Sequence, residues 1–294
     1  MNTTTAPDFL DALLMQRLPA DQYDWLQERL NLLHSDDSLR DIHITFGLIP
    51  RRLGRQDLAA SSQDNATADA IVNGWNLSDW SLDMAARVLL LCRISQQTNR
   101  DFAALFKSMC QTADLSESIC LYRGTALYPQ SDELDKQIGE GLRTNMRAVF
   151  EAIAHHNPYP AKHFSELRWN HMVLKALFVD STLHPIQGLD ERANPELARI
   201  LCDYAHERWS AHRPVTPELW RCVGPFARGS MLDDLQKVLE SGLPLEHQGA
   251  VLALSRCPDP RAEKLLANYP EQVSAVANEE LSWDSIIEQT NQPG

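Results

Sequence analysis

Apolar residues recur three and four positions apart through nearly every ordered stretch of this 294-residue chain, and alternation at every second residue is scarce. Such a repeat builds one apolar stripe along a helix and cannot build one face of a strand, so the chain is confined to an all-α fold. The pattern predicts helices over 8–18, 20–33, 36–46, 78–97, 100–112, 132–155, 161–180, 195–211, 216–226, 231–241, 244–256 and 260–268. Between them, "NPYP" (157–160), "RPVTP" (213–217), "SGLP" (241–244) and "CPDP" (257–260) combine Pro with small or polar residues, as helix connectors do. The polar stretch "RQDLAASSQDNATAD" (55–69) reads as a mobile loop. From about residue 215 the order of helix, short turn, helix and Pro-stop resembles HEAT-type αα repeats. The expected architecture is a single all-α domain over 1–294. It comprises an irregular antiparallel helical stack over about 8–214 and HEAT-like repeats over about 215–290, solenoid- or superhelix-like toward the C-terminus.

Composition narrows the partners. A hydrophobic content of 44% is ample for a core without disulfide staples. The net charge of −13 argues against nucleic acid and against an anionic membrane surface, both of which bind through clustered Lys and Arg. Six cysteines show no C-x-x-C spacing and read as reduced core thiols. The N-terminal "MNTTTAPDFLDALLMQRL" lacks the features of an export signal. The longest apolar runs, "MAARVLLLC" (84–92) and "MVLKALFV" (172–179), fall far short of the ~20 residues of a spanning helix. A cytoplasmic protein with no membrane insertion is expected.

Catalytic signatures are missing. The sequence has no G-x-S-x-G, H-E-x-x-H, Walker loop or zinc-type Cys/His array, and "GEGLRT" (139–144) lacks both the third glycine and the preceding strand of a dinucleotide site. Asp203 and His206 in "DYAHE" share a helix face and could ligate a metal, but a di-iron bundle needs a second such pair. The bland alternative is a solvated face with an Arg199–Asp203 pair. We therefore expect no metal, no cofactor and no catalytic residue.

The charged residues set among apolar ones are more informative. The segment "GLDERANPELARILCDYAHERW" (188–209) opens a helix with Asn194 as cap and Pro195 at the first position. Its stripe of Leu197, Ile200, Leu201, Tyr204 and Ala205 has Arg208 in the middle, so that guanidinium is expected to be buried against Asp190 or Glu191. The helix "ELRWNHMVLKALFV" (166–179) is apolar almost all round, hence expected to be central, yet it carries Asn170, His171 and Lys175. Before it, "EGLRTNMRAVFEAIAHH" (140–156) sets Arg143 and Asn145 beside a stripe of Leu142, Met146, Val149, Phe150 and Ile153. Two readings stay open. One is a buried ion network that fixes how three helices cross. The other is a polar pocket lined by Arg143, Asn145, Asn170, His171, Lys175, Asp190, Glu191, Arg192 and Arg208 that takes an anionic or hydroxylated ligand.

The blocks "GLRTNMRAVFEAIAHHNPYP", "WNHMVLKALFV", "GLDERANPELARILCDYAHERW" and "PVTPELWRCVGPF" resemble, in order and spacing, the EboA family. The likeness is dense over about 141–226. It implies a bacterial, cytoplasmic protein of secondary-metabolite precursor traffic toward the periplasm. The partners it implies are a prenyltransferase-like membrane enzyme and sugar-phosphate-cyclase-like or TIM-barrel proteins, and it carries over no catalytic residues. The function expected is a non-catalytic helical protein that binds a metabolite or scaffolds proteins of its pathway. The alternative is an enzyme using Asp203 and His206, or His171 with Asp190 or Glu191.

Overall fold

Short polar side chains start most helices of the first part of the chain. The computed structural model describes residues 4–33, 39–97 and 101–291, so positions 36–38 and 100 of two predicted helices lie outside the described residues. Thr5 caps α1 (Ala6–Arg17), and α2 (Ala20–Leu32) and α3 (Leu39–Leu53) follow. The segment expected to be a loop contains α4 (Ser62–Ile71), which starts with a reciprocal capping box between Ser61 and Asp64. The same polarity that suggested a loop satisfies the free N–H groups of a helix end. Ser81 caps α5 (Leu82–Ser95), Asp101 caps α6 (Phe102–Thr112), and Asp114 with Glu117 forms a second capping box on α7 (Leu115–Arg123).

The helix expected over 132–155 is two, α8 (Asp132–Leu142) and α9 (Arg147–Ala154). Gly141 lies so close to the Tyr122 ring that a Cβ there would collide with it. After it, the Thr144 hydroxyl accepts from the Met146 backbone N–H at 3.1 Å, which draws the chain out of the helical ladder. Met146, placed by the sequence in a buried stripe, is instead 57% exposed. The turn "NPYP" leads into α10 (Tyr159–His163) and is fixed by buried Asn157. Its amide donates to the Tyr122 and Ala152 carbonyls at 3.2 Å and to the Thr125 hydroxyl at 2.9 Å.

The described helices gather into two compact units, one ending at His163 and the other beginning at Phe164. In the first, α5 is central, with twelve of its fourteen residues buried and with α1, α2, α3 and α7 packed on it. The buried cation in this apolar helix is Arg87. Its Nε donates to the Phe46 carbonyl at 3.0 Å, Nη1 lies 3.4 Å from Asp83 and 3.2 Å from the Ser116 hydroxyl, and Nη2 lies 3.7 Å from Glu117. The side chains of Arg87 and Asp83 are only 2% and 4% exposed.

The second unit holds α11 (Glu166–Phe178), α12 (Pro195–Ser210), α13 (Leu219–Val223), α14 (Ser230–Leu239), α15 (Pro244–Ser255), α16 (Pro260–Leu266), α17 (Pro270–Ala277) and α18 (Trp283–Asn291). Here α15 is central, packed by α13, α14, α16, α17 and α18. Gly224 lets a 3₁₀ turn (Gly224–Phe226) lie directly on the Ala253 backbone, a gap too small for any Cβ. Among the described residues there is no strand, so the fold is all-α. No helix among them is long and apolar enough to cross a membrane.

Two substitutions test these packing arguments. Arg87→Ala should cost about 3–5 kcal/mol in urea unfolding, because Asp83 would be left buried without its cation. Gly224→Ala should cost about 1–3 kcal/mol by forcing the 3₁₀ turn off Ala253. A change under ~0.5 kcal/mol in either would contradict the corresponding contact.

Candidate functional site

Asn194 does more in the second unit than cap α12. Its Oδ1 accepts from the Leu197 N–H at 2.8 Å and from the Asn170 amide at 3.2 Å, and its Nδ2 donates back to Asn170 Oδ1 at 2.9 Å. The pair of amides thus joins α11 to the start of α12. Next to it, Arg192 donates to the Phe164 carbonyl at 2.8 Å, and its guanidinium lies 4.6 Å from the centre of the Trp169 ring. These are internal bonds that set how two helices meet.

The stripe of α12 buries Leu197, Leu201, Tyr204 and Ala205, as its spacing requires. Arg208 does not follow them inside. It stands near the helix end, half-buried, and its Nε donates to the Pro214 carbonyl at 3.1 Å. The expected Arg208–Asp190 pair is replaced by another: Asp190 receives Arg221 from α13 on both oxygens, at 2.8 and 3.0 Å, and Arg256 at 2.8 Å. A fork-to-fork Arg–carboxylate contact is the stronger geometry, and Arg221 reaches it from a neighbouring buried helix. Burial alone would push the Asp190 carboxyl up, but the hydrogen bonds and charges of Arg221 and Arg256 outweigh it and hold the group below its ordinary value. The nearby Glu218 shows the reverse. Its burial raises its pKa although it accepts the backbone N–H groups of Leu183 and His184.

Arg208 faces a cleft of about 320 Å³ between the end of α11, the end of α12 and the 214–217 connector. Tyr204, Thr216 and Asp180 share the lining. The Tyr204 hydroxyl donates to the Leu177 carbonyl at 3.2 Å, and Phe178 packs edge-on against its ring. Because Nε is spent on Pro214, the remaining donors of Arg208 are its two terminal nitrogens.

The other expected site residues are dispersed. Arg143 belongs to the first unit, 76% exposed and paired with Glu140, and Asn145 is exposed nearby. In α11, His171 is exposed and Lys175 half-buried, its ammonium pKa lowered by burial. That helix is not buried all round as its apolar pattern suggested, since Leu167 and Phe178 are also exposed. Glu191 is exposed. Asp203 pairs with Arg199 at 2.6 Å, whereas His206 meets Asp234 on α14 at 2.7 Å, so the two residues of "DYAHE" have separate partners. Among the described residues no group of three or more His, Cys, Asp or Glu is placed to hold a metal ion. Sequence reasoning missed Arg221 and Arg256. The signal for Arg221 was present in "LWRCV", a lone cation among apolar residues.

Fold and site together define an all-α protein with a polar cleft at a helix end and a carboxylate shared by two guanidiniums. The chain belongs to the EboA family: the family model described as "Metabolite traffic protein EboA" matches residues 6–224. No curated protein and no solved structure matches the chain.

The lowered pKa of Asp190 gives a pH test. A depressed folded value means that its stabilisation is complete above the ordinary 3.8 and is lost as pH falls through the lower folded value. Asp190→Asn should therefore cost about 1–3 kcal/mol at neutral pH, and its deficit should shrink below about pH 4. A deficit independent of pH would show that the charge of Asp190 contributes nothing.

Proposed function

We propose that this chain is a non-catalytic cytoplasmic protein that binds a small metabolite during secondary-metabolite precursor traffic, with the Arg208 cleft as its binding site. The observation that carries this reading is the state of Arg208. One N–H anchors the guanidinium to Pro214, and the forked end is left toward a cleft bordered by Tyr204 and Thr216. A planar fork flanked by hydroxyls suits a carboxylate, a phosphate or a polyhydroxylated anion. Membership of a metabolite traffic family supports the pathway. The separate partners of Asp203 and His206 support a reading without a metal-dependent step.

Docking of pathway proteins, including a membrane prenyltransferase-like enzyme, is the complementary role. We place it on the helix pairs from Ser230 onward, read as HEAT-like repeats within one all-α domain.

Arg208→Gln separates the reading from a structural role. The residue is half-buried and its anchor is a single exposed hydrogen bond, so thermal stability should change little. Native mass spectrometry of protein purified from its host should then show a bound small molecule on the wild type and its loss from the variant. A wild type that carries no organic ligand, or a variant that keeps it, would overturn the proposal.

A further inference from the structure

A second cleft in this unit lies away from Arg208, where α15, α17 and α18 meet. It measures about 570 Å³, within the range of small-molecule pockets, and residues 252–284 line it, beyond the family match that ends at 224. Its apolar floor comes from Leu252, Leu281 and Trp283, all nearly buried. Arg256 forms one side. Its Nη1 is 2.8 Å from Asp190, which Arg221 already holds on both oxygens, so Arg256 shares that carboxylate with a second guanidinium. The Arg256 side chain is 41% exposed and borders the cleft.

Glu279 and Asp284 carry the opposite charge into the same cleft. Asp284 lies 3.6 Å from His184 and is well exposed. Glu279 sits in the turn between α17 and α18 at φ +61°, a conformation that Gly or Asn would adopt at lower cost. The turn itself is fixed by the N–H groups of Glu280 and Leu281, which both donate to the Ala275 carbonyl at 2.9 and 3.0 Å. These backbone bonds do not use the Glu279 carboxylate, and Glu279 lines the cleft.

Charge decides the ligand class. A simple anion attracted by Arg256 would be repelled by two carboxylates, and a simple cation would meet the Arg256 guanidinium. A neutral apolar molecule would use the floor, desolvate the three charged groups in part and give them no new hydrogen bond in return. A molecule with both signs and an apolar body satisfies every wall. We propose that this cleft binds a zwitterionic, amino-acid-like metabolite, its carboxylate on Arg256, its ammonium toward Glu279 and Asp284, and its apolar part on Trp283. This is a site separate from the Arg208 cleft.

Calorimetric titration of the full chain with L-leucine, isoamylamine and 4-methylpentanoate tests it. L-leucine should bind saturably, and the two analogues that each lack one charge should bind at least about tenfold more weakly. Glu279→Gln, at an exposed turn residue that folding does not need, should weaken L-leucine about tenfold and strengthen 4-methylpentanoate by removing repulsion. Arg256→Gln should abolish L-leucine binding, and Asp190 keeps Arg221 in that variant, so the fold should persist. Arg208→Gln should leave L-leucine affinity unchanged, which keeps failure of this inference distinct from failure of the traffic reading. Absent or non-saturable L-leucine binding, equal binding of all three probes, or loss on Arg208→Gln with none on Glu279→Gln would overturn the inference.

Discussion

A buried guanidinium orients the core of the first unit. Helix α5 is apolar on nearly every side, so hydrophobic burial alone barely distinguishes one rotation of it from another. Arg87 breaks that degeneracy. It must reach the Phe46 carbonyl on α3, Asp83 one turn back on its own helix, and Ser116 and Glu117 on α7. Its guanidinium also lies 4.8 Å from the centre of the Phe46 ring. Only one rotation of α5 makes all these contacts. Replacing such a network by apolar groups is often neutral or stabilising, so its role here is better described as specificity than as net stability. The capping boxes at Ser61 and Asp114 then fix where the surrounding helices begin.

The second unit uses the same chemistry differently. Asp190 gathers Arg221 and Arg256 as Arg87 gathers Asp83 and Glu117, but the hub is open: its side chains are partly exposed where those of Arg87 and Asp83 are sealed. In a sealed hub every charge must be answered from within the protein. An open hub can share one carboxylate between two guanidiniums, because water solvates their exposed edges. This difference separates Arg87, a packing device, from Arg256, whose remaining donors border a cleft.

Periodicity and punctuation made the helical class legible and located most of the helices, because a helix buries a stripe and Pro or Gly ends it. What escaped was set by short-range competition or by contacts distant in sequence. The Ser61–Asp64 box was written in the sequence but lay inside a stretch whose polarity suggested a loop. The break at 143–146 depends on a Thr144 hydroxyl bond and on the close approach of Gly141 to Tyr122, which no local pattern displays. The helices α17 and α18 fall after the last Pro-stop that the repeat rhythm had used. For the site, the stripe of α12 was read correctly at Leu197, Leu201, Tyr204 and Ala205, whereas Ile200 is half-buried. Arg208 then escaped because its long stem, near the helix end, can turn back to the Pro214 carbonyl. The true partner of Asp190 lies 31 residues away, a pairing that a single sequence does not reveal.

The net charge of −13 bears on how any ligand reaches these clefts. A strongly acidic protein sets up a field that slows the approach of anions, and screening confines that field to about 8 Å at physiological ionic strength. An anion directed to Arg208 therefore gains little from long-range attraction and must be held by short-range, directional hydrogen bonds, so its selectivity lies in dissociation more than in capture. A zwitterion experiences no such monopole penalty. Its two ends are recognised only at contact, where Arg256 and the carboxylates of Glu279 and Asp284 face one cleft. In a chain of this charge, a ligand with no net charge and two opposed ends is the class that meets the smallest barrier on the way in. It also makes full use of the charged groups once bound.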